Sequence, residues 1–565
     1  MANYNWNWFG RGRARQVCLT CGDDIAHLAE LDKKRWMAIS MPIEGVRMAL
    51  QRRPEMKLKP IIFALVVLAV GGVGASAVPP FEVSFEGKGL RVEPARISAV
   101  PFNRIWPGYQ RSLDQTKESA FVGFDVPKGG GGLAVRFAGK VPDAAVVRPY
   151  SRAQPVRKGD AWLVDVRGAE QFVMEFSDGE TLHVFADPPE DEGAERPADG
   201  ALTRFGPGEH HPGAIIPKSG DTIVIERGAT VYGNVVLVGV TNVTVRGRGV
   251  LDGSEQRRSD MDYAGSRHLS ALGFPPSAAE WGTTPVYASK CRDIRIEGVT
   301  FRDAPRWTMN VQDCDGVAIR NVKLVGMWRY NSDGIDICGS SDVRIEDSFV
   351  RSFDDCVVAR PPCRGMKVDN CVLWCDWNWN VKVQQSERPS VMEDISFTRI
   401  KALSVDNVFA GITTRYGSTN GVIRNVRLAD VEVDAPPDRP QSQYQRTDEQ
   451  KYVYSPASGL ELLRINAYAL GRPTPNQGRP IPVDESKLRL VYEDIEMRDV
   501  KVFSAPGRRV DGDAPYRVFC TIHAVSDGFD AHGVALSGLP SCTESNVEVK
   551  KGAVSDVVLN GRRVK

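Results

Sequence analysis

The sequence predicts an all-β protein, a right-handed parallel β-helix preceded by a small β-sandwich. A pattern of alternating apolar and polar residues recurs every 23 to 29 residues through the second half of the chain. Alternation with a period of two is typical of half-buried strands, and a repeat of this length is typical of a solenoid. Before the repeat, short β-type runs broken by Gly, Pro and Asp are typical of a sandwich.

The N-terminal region contains the features of an export signal. Met56-Lys57-Leu58-Lys59 precedes an apolar run from Ile61 to Val73, followed by the small residues Ala75-Ser76-Ala77. The order is typical of a secretory signal cleaved after Ala77, and 13 apolar residues are fewer than the roughly 20 that span a bilayer. We therefore expect a secreted or periplasmic protein without stable membrane insertion.

This interpretation divides the chain into five parts. Residues 1–55 precede a complete signal, and we interpret them as the product of an upstream start codon, absent from the mature protein. The predicted segments are 1–55, the signal peptide 56–77, the N-terminal β-sandwich 78–186, the polar linker 187–202 and the β-helix 203–565. Two long inserts without a strand repeat, about 254–283 and 432–490, are rich in Pro and Gly, and we expect them to wall a cleft.

The repeat favours a β-helix over a leucine-rich repeat, because β-branched residues dominate and no Leu-x-x-Leu-x-Leu signature is present. One reference position marks each coil: Ile296, Ile319, Ile345, Val368, Phe397 and Ile423. Three cysteines, Cys291, Cys314 and Cys363, each lie five residues before such a position. This spacing predicts an interior stack of small apolar side chains. A disulfide between Cys520 and Cys542 stays open, since spacing alone does not decide it.

Composition limits the partners. Lys plus Arg number 72 and Asp plus Glu 71, so no basic excess favours nucleic acid. The seven histidines show no metal-ligand spacing, and the single Cys18-x-x-Cys21 is a weak zinc signal. We expect no metal, no cofactor and a monomer.

Three carboxylates lie about one coil apart. Asp333 belongs to Asn331-Ser332-Asp333-Gly334-Ile335-Asp336, and the pair Asp354-Asp355 begins 21 residues later. Stacked strands lie about 4.8 Å apart, so the three side chains converge if the chain bends at the pair. Convergent carboxylates suit glycosidic bond cleavage, which needs one protonated acid and one ionised base. Asp and Asn are also common at β-helix turns for conformational reasons alone.

Position on the coil predicts the groove around the carboxylates. Trp307, Asp333 and Asp355 lie 12, 12 and 13 residues before their reference positions, which predicts a column on successive coils. On the next coil, we expect inward valines and groove-facing hydrogen-bonding side chains, with a break in this alternation near the tryptophans. The predicted substrate-binding residues are Asn331, Asp336, Trp307, Asn378, Asn380, Lys382, Gln384, Arg415 and Tyr416. The candidate stacking platforms are Trp307, Trp328, Tyr330, Trp374 and Tyr416.

These motifs resemble a known family. Asn331 to Asp336, followed by Asp354-Asp355-Cys356-Val357, is similar to the signature of glycoside hydrolase family 28, the polygalacturonase group. A sandwich before the helix resembles the related family 49, the dextranase group. The resemblance implies inverting hydrolysis of an α-linked polysaccharide or oligosaccharide, with Asp354 as general acid and with Asp333 and Asp355 activating the water.

Two motifs of family 28 are absent here. Its Gly-His-Gly is replaced by Cys375 to Lys382, and its Arg-Ile-Lys by Ile412-Thr413-Thr414-Arg415-Tyr416. The identity of the substrate therefore stays open. It is either a galacturonate, whose carboxylate would be held by Arg415, Arg360 or Lys382, or a neutral glycan. Two other functions also stay open: a polysaccharide lyase of the pectate lyase kind, and a non-catalytic carbohydrate-binding β-helix.

Overall fold

The computed structural model describes residues 79–99, 113, 116–190, 200–256, 282–385, 390–405, 408–414, 420–435, 443–446, 452–455, 459–466, 488–512 and 516–565. The residues within these ranges form no α-helix, and no segment of them has the length and apolarity that a membrane-crossing helix needs. The predicted signal peptide and the residues before it lie outside the described ranges. Residues Val78–Lys565 form one compact unit.

The first part of this unit is a β-sandwich of two five-stranded sheets. The first sheet contains β1 (Phe81–Phe85), β2 (Lys88–Leu90), β5 (Gly131–Phe137), β7 (Val156–Lys158) and β8 (Ala161–Val166) in the order β2-β1-β5-β8-β7. The second sheet contains β3 (Glu93–Ser98), β4 (Thr116–Asp125), β6 (Ala145–Arg148), β9 (Glu170–Phe176) and β10 (Thr181–Asp187) in the order β3-β4-β10-β9-β6. Alternate residues from both sheets share one apolar core, including Val83, Leu133, Val122 and Phe172.

The remaining strands form a single sheet of 28 strands that winds into coils. Its earlier strands are β11 (Leu202–Phe205), β12 (Gly208–Ile215), β13 (Thr222–Ile225), β14 (Ala229–Val238), β15 (Thr241–Gly247), β16 (Val250–Asp252), β17 (Val286–Ser289), β18 (Arg292–Glu297), β19 (Thr300–Arg302), β20 (Met309–Gln312), β21 (Asp315–Arg320), β22 (Lys323–Val325), β23 (Ile335–Cys338), β24 (Ser341–Glu346), β25 (Phe349–Ser352), β26 (Val357–Arg360), β27 (Cys363–Asp369) and β28 (Val372–Cys375). Its later strands are β29 (Trp379–Gln385), β30 (Val391–Ser404), β31 (Val408–Thr414), β32 (Asn420–Asp434), β35 (Gly459–Asn466), β36 (Arg489–Ala505), β37 (Arg508–Val510), β38 (Arg517–Ser537), β39 (Glu544–Leu559) and β40 (Arg562–Arg563). A separate hairpin joins β33 (Gln443–Arg446) and β34 (Tyr452–Ser455). The predicted fold class is confirmed.

Parallel pairing in register divides the β-helix into three faces. The first face runs β13-β15-β18-β21-β24-β27-β30-β32-β36, the second β16-β19-β22-β25-β28, and the third β17-β20-β23-β26-β29-β31-β35. On each face, residues of one parity enter the core, as Met309, Val311, Ile335 and Ile337 do on the third face. Residues of the other parity therefore point outward.

Two details of the predicted repeat are wrong. Phe397 pairs with Leu428 rather than Ile423, which pairs with Met392. In β32, apolar and polar residues alternate both before and after a bend at Asn425 (φ 51°). The reference position could therefore be assigned to either half of the strand from the sequence. Residues 432–490 are also not free of repeat strands, because β35 lies within them on the third face. Its sequence, GLELLRIN, is too apolar to show clear alternation.

The predicted cysteine stack lies in the core. Cys291, Cys314 and Cys363 are all buried there, and the coil between the last two places Ser340 at the equivalent position. The backbone N–H of Cys291 donates to Cys314 Sγ (3.4 Å), and that of Cys314 donates to Ser340 Oγ (3.0 Å). Cys520 and Cys542 are both free thiols.

The second sheet of the sandwich packs against the second face of the β-helix. Phe121 and Phe185 of the sandwich share a buried cluster with Phe349 and Trp374. Buried charges flank this cluster. Arg148 Nε donates to Asp434 Oδ2 (2.8 Å), and both side chains are 1% exposed. Burial of Asp434 raises its pKa to about 6, although Arg148 acts in the opposite direction.

Replacing Arg148 with Met should destabilise the protein, because Asp434 loses its buried cation. We expect a loss of about 3–5 kcal/mol in the free energy of unfolding, measured by denaturant titration. The control is Arg136→Met, which removes an exposed pair with Asp160 and should cost about 0–1 kcal/mol. Equal effects of the two variants would contradict the importance of the buried pair.

Candidate active site

One column on the outer surface of the third face contains two of the three carboxylates. Met309, Ile335, Val357 and Val381 pair in register on successive coils. The residues two positions earlier are Trp307, Asp333, Asp355 and Trp379. Backbone hydrogen bonds continue along this column, from Thr308 N to Asp333 O (2.9 Å) and from Gly334 N to Asp355 O (2.8 Å). The column has the order that residue spacing predicts.

A bend between β25 and β26 brings the third carboxylate to the same place. Residues 353–356 leave the extended conformation, so adjacent Asp354 and Asp355 both point toward Asp333. One carboxylate oxygen from each of the three residues lies within 4.8 Å of the others, and all three side chains are buried. Side chains of one flat strand would instead alternate between opposite sides.

The three carboxylates have different partners. Asp355 forms an ion pair with Lys382 (Oδ2 to Nζ, 2.8 Å) and accepts the backbone N–H of Trp379 at 3.3 Å. Asp354 accepts hydrogen bonds from Asn378 Nδ2 (2.8 Å) and Asn331 Nδ2 (3.3 Å). Asp333 Oδ1 is buried and has no hydrogen-bond partner among the described residues. The three carboxyl groups therefore differ in their partners: Asp355 has a cation, Asp354 has amide donors, and one oxygen of Asp333 has neither among the described residues.

Burial and mutual repulsion favour the protonated form of several of these groups. Burial raises the pKa of Asp354 to about 6, and the nearby charge of Asp355 adds to the rise, whereas Lys382 and the Asn378 hydrogen bond lower it. The pKa of Asp333 lies well above its ordinary value because of burial and the charges of Asp354 and Asp336. The site can hold a proton near neutral pH, which an acid catalyst requires.

Arg360 organises a second polar group beside the trio. Its Nε and Nη2 donate to Asp336 Oδ1 (3.3 and 3.2 Å), and its Nη1 donates to Gln384 Oε1. The guanidinium also lies 4.8 Å from the ring centroid of Trp307. Burial raises the pKa of Asp336 to about 7, while the guanidinium lowers it. The sequence indicated Arg360 as a cation for a uronate or as the base of a lyase, but not its contacts with Asp336 and Gln384.

Trp379 breaks the alternation of β29. Val381 and Val383 enter the core as predicted, but a Cβ at Gly411 would overlap the Trp379 ring. Gly411 pairs with outward-facing Lys382, so the ring lies on the outer surface over the glycine. Lys382 Nζ and the Arg464 guanidinium lie 5.0 and 5.8 Å from ring centroids of Trp379. Trp379 and Arg464 were not among the predicted site residues. The pairing of successive coils places Trp379 in the column of Asp355, and Arg464 in the column of Lys382 and Gly411.

Asn380, the residue after Trp379, does not lie in the predicted groove-facing row. It is fully buried, and its Nδ2 donates to the carbonyl oxygen of Ser404 (2.9 Å). The expectation that Asn380 faces the groove is wrong, because its side chain is fully buried and bonds to the backbone of the next coil. Arg415 and Tyr416 lie outside the described residues.

The other candidate stacking platforms also differ in position. Trp374 is buried against the sandwich, so it does not serve as a sugar platform. Trp328 is 6% exposed, with the Arg329 guanidinium 5.1 Å from its ring centroid. The ring centroids of Tyr330 and Trp377 lie 5.4 Å apart. Trp377 directly precedes Asn378 in the chain.

A buried network connects this site with the sandwich. Arg351 Nη2 donates to Asp376 Oδ1 (3.1 Å), and Arg351 Nη1 lies 3.1 Å from His183 Nε2 in β10. Trp374 Nε1 also donates to Asp376 Oδ1 (2.9 Å). Burial lowers the pKa of His183 to about 3, so its neutral ring can accept from Arg351. The network holds Asp376 two residues before Asn378, the donor to Asp354.

The carboxylate oxygens also have a spacing that suits a divalent cation. Lys382 already supplies a positive charge to Asp355 at 2.8 Å. The expectation of no metal and no cofactor stays a prediction.

Comparison with known proteins identifies this region. Residues 225–375, which contain all three carboxylates, match the profile of Glycosyl hydrolases family 28. This stretch is therefore similar to glycosyl hydrolases of family 28. The match ends three residues before Asn378.

Individual relatives match about a third of the chain. Polygalacturonase QRT2 of Arabidopsis thaliana is 26% identical over 189 residues, 33% of this chain and 38% of the relative. A probable endo-xylogalacturonan hydrolase A of Neosartorya fischeri is 26% identical over 202 residues, 34% of this chain and 46% of the relative. The match thus spans less than half the length of each relative.

A solved structure is similar over much more of the chain. Dex49A from Penicillium minioluteum has a TM-score of 0.50 and 13% sequence identity, and the alignment covers 84% of this chain and 93% of that chain. At this identity the likeness concerns the fold alone.

Replacing Asn378 with Ala should raise the pKa of Asp354, because a hydrogen bond to the ionised carboxylate is lost. If protonated Asp354 is required, activity falls as pH rises through this pKa, about 6 in the unmodified protein. The alkaline limb of kcat/KM against pH should therefore move to higher pH. Asn546→Ala in β39 is the control. An unmoved limb in Asn378→Ala would contradict the assigned contact.

Proposed function

We propose that the chain is an exported, inverting glycoside hydrolase that cleaves α-linked bonds in a polysaccharide or oligosaccharide. The convergence of Asp333, Asp354 and Asp355 in unequal environments is the observation that carries the proposal. The family 28 match and the polygalacturonase relatives support it. The apolar run before Ala77 supports export.

The proposed mechanism gives each carboxyl group a separate role. Asp354, whose pKa is raised to about 6, protonates the glycosidic oxygen. Asp355 accepts a proton from the attacking water, and its pairing with Lys382 keeps it in place. Asp333 holds the same water through a hydrogen bond. Attack from the side opposite the leaving group inverts the anomeric carbon.

The lyase alternative has less support from the contacts. A lyase of the pectate lyase kind needs an Arg or Lys that removes a proton. Arg360 is engaged with Asp336, and Lys382 with Asp355. Screening residues 78–565 against plant, algal and bacterial glycans distinguishes the alternatives: reducing ends without unsaturated products support hydrolysis, and calcium-dependent unsaturated products support the lyase.

Replacing Asp354 with Asn should reduce kcat on an ordinary glycoside by about 10²–10⁴-fold, the usual contribution of acid–base catalysis. An aryl glycoside with an activated leaving group should be impaired much less, because its departure needs little protonation. Asp342→Asn, at an exposed position near the start of β24 (φ 48°), is the control and should retain activity. Equal losses on both substrates would exclude Asp354 as the acid.

Asp333→Asn and Asp355→Asn should each lower kcat with little change in KM, because the water is poised only for the transition state. The double variant should lose less than the product of the single losses, since both groups act on one water. Proton NMR should show the β-anomer as the first product from an α-linked substrate. A first-formed α-anomer, or an azide-rescued product with retained configuration, would overturn the inverting mechanism.

A further inference from the structure

The guanidinium of Arg360 contacts side chains from three other coils. Its Nε and Nη2 donate to Asp336 Oδ1 on the preceding coil (3.3 and 3.2 Å), and its Nη1 donates to Gln384 Oε1 on the following coil. The guanidinium also lies 4.8 Å from the ring centroid of Trp307, two coils earlier. Only 15% of the Arg360 side chain is exposed. One side chain therefore spans the four coils on which the site is built.

The anchors of this guanidinium adjoin Asp333. Arg360 points away from the core because its neighbour Ala359 enters it. Asp336 lies in β23, three residues after Asp333 in the chain, and Trp307 precedes Asp333 in the outward column. The positive charge is therefore held near Asp333, whereas Lys382 bonds to Asp355 on the following coil (2.8 Å).

Charged groups from several elements surround Asp333. The charges of Asp354, Asp336 and Asp355 add to the effect of burial and raise its pKa, and the charge of Arg360 acts in the opposite direction. An ion pair of Asp303 with Arg329 (3.2 Å) lies on the segments before it. Cys338 pairs with Arg360 in register, and burial raises the pKa of its thiol, so that it stays neutral. Carboxyl groups thus outnumber cations around the trio.

We propose that Arg360 is a positioning residue of the hydrolysis, which sets the working pH of the trio by holding a permanent positive charge beside Asp333. This inference rests on the proposed glycoside hydrolase function. An arginine side chain is not deprotonated in proteins, so its charge is the same at every working pH. The three anchors hold that charge in one place.

The reaction explains why such a charge is needed. Hydrolysis requires one carboxyl group with a proton and another without one, but burial and crowding favour protons on all of them. A nearby cation stabilises the ionised form of a carboxyl group. Arg360 therefore lowers the pH at which the water-activating side of the trio loses its proton.

Replacing Arg360 with Gln should move the acid limb of kcat/KM against pH to higher pH. Activity on this limb requires an ionised carboxyl group, and loss of the cation raises the pKa of that group. We expect a shift of about 1 pH unit, the lower end of the effect of an adjacent arginine on an aspartate. Arg344→Gln, which removes an exposed pair with Asp342 (3.2 Å), is the matched control and should leave the profile unchanged.

Arg360→Lys separates the charge from the shape of the side chain. Lysine keeps the positive charge but lacks the planar fork that bonds to Asp336 and Gln384 together. The value of kcat should fall, while the pH profile should stay close to that of the unmodified protein. Equal shifts in the Gln and Lys variants, or no shift in either, would overturn the proposal and leave the hydrolase function intact.

A second background guards against a failure to fold. Arg360→Gln leaves Asp336 buried without its cation, which destabilises a protein, and Asp336→Asn removes that charge. Adding Arg360→Gln to Asp336→Asn should therefore give a folded protein whose acid limb lies at higher pH than in Asp336→Asn alone. The same limb in both would contradict the role of Arg360.

If the unmodified protein cleaves no glycan, the function proposal fails, and the effect of the charge is measured directly by NMR. The carboxyl signal of Asp333, in protein with isotope-labelled aspartate, is the one absent from Asp333→Asn. Its titration midpoint should lie at higher pH when Arg360→Gln is added to Asp336→Asn, and should not move in Arg344→Gln. Equal midpoints with and without the arginine would overturn the inference.

Discussion

The structure depends on the in-register stacking of parallel coils. A residue keeps its angular position from coil to coil, and side chains one coil apart lie about 4.8 Å apart. Inside the helix this places similar apolar residues together, as with Ile296, Ile319 and Ile345. On the outer surface it places Asp333 next to Asp355. One geometric constraint therefore produces both the continuous core and the crowding of like charges.

Unequal partners make that crowding useful. Lys382 balances Asp355, amide donors support Asp354, and one oxygen of Asp333 has no partner in the described part of the chain. Pairs of carboxyl groups in different environments can serve as acid and base in one reaction. The raised pKa of Asp354 also stabilises the folded state, and this contribution is fully present when the pH is below 3.8, the ordinary pKa of the group. This contribution to stability is lost as pH rises through about 6. The site thus carries a cost in stability at neutral and alkaline pH.

The sandwich contributes to the site as well as to the fold. Its second sheet covers the second face, and His183 reaches Arg351 through a buried contact. Arg351 holds Asp376, and the chain then bends to place Asn378 on Asp354. The contacts of His183, Arg351 and Asp376 in this path are buried, and the contact of Asn378 with Asp354 is partly buried. The sandwich therefore positions a donor of the site at a distance.

The sequence by itself determined the repeat, the fold class and the column of Trp307, Asp333 and Asp355, because strand alternation and coil length depend on local pattern. It also indicated that Asp354 and Asp355 need a bend to converge. Only the tertiary structure decided that Trp379 turns outward over Gly411 and that Asn380 is buried against Ser404. The pairing of Arg360 with Asp336 and of Lys382 with Asp355 was likewise beyond the sequence. These contacts join residues 24 and 27 positions apart, and they depend on side-chain packing between coils rather than on any local pattern.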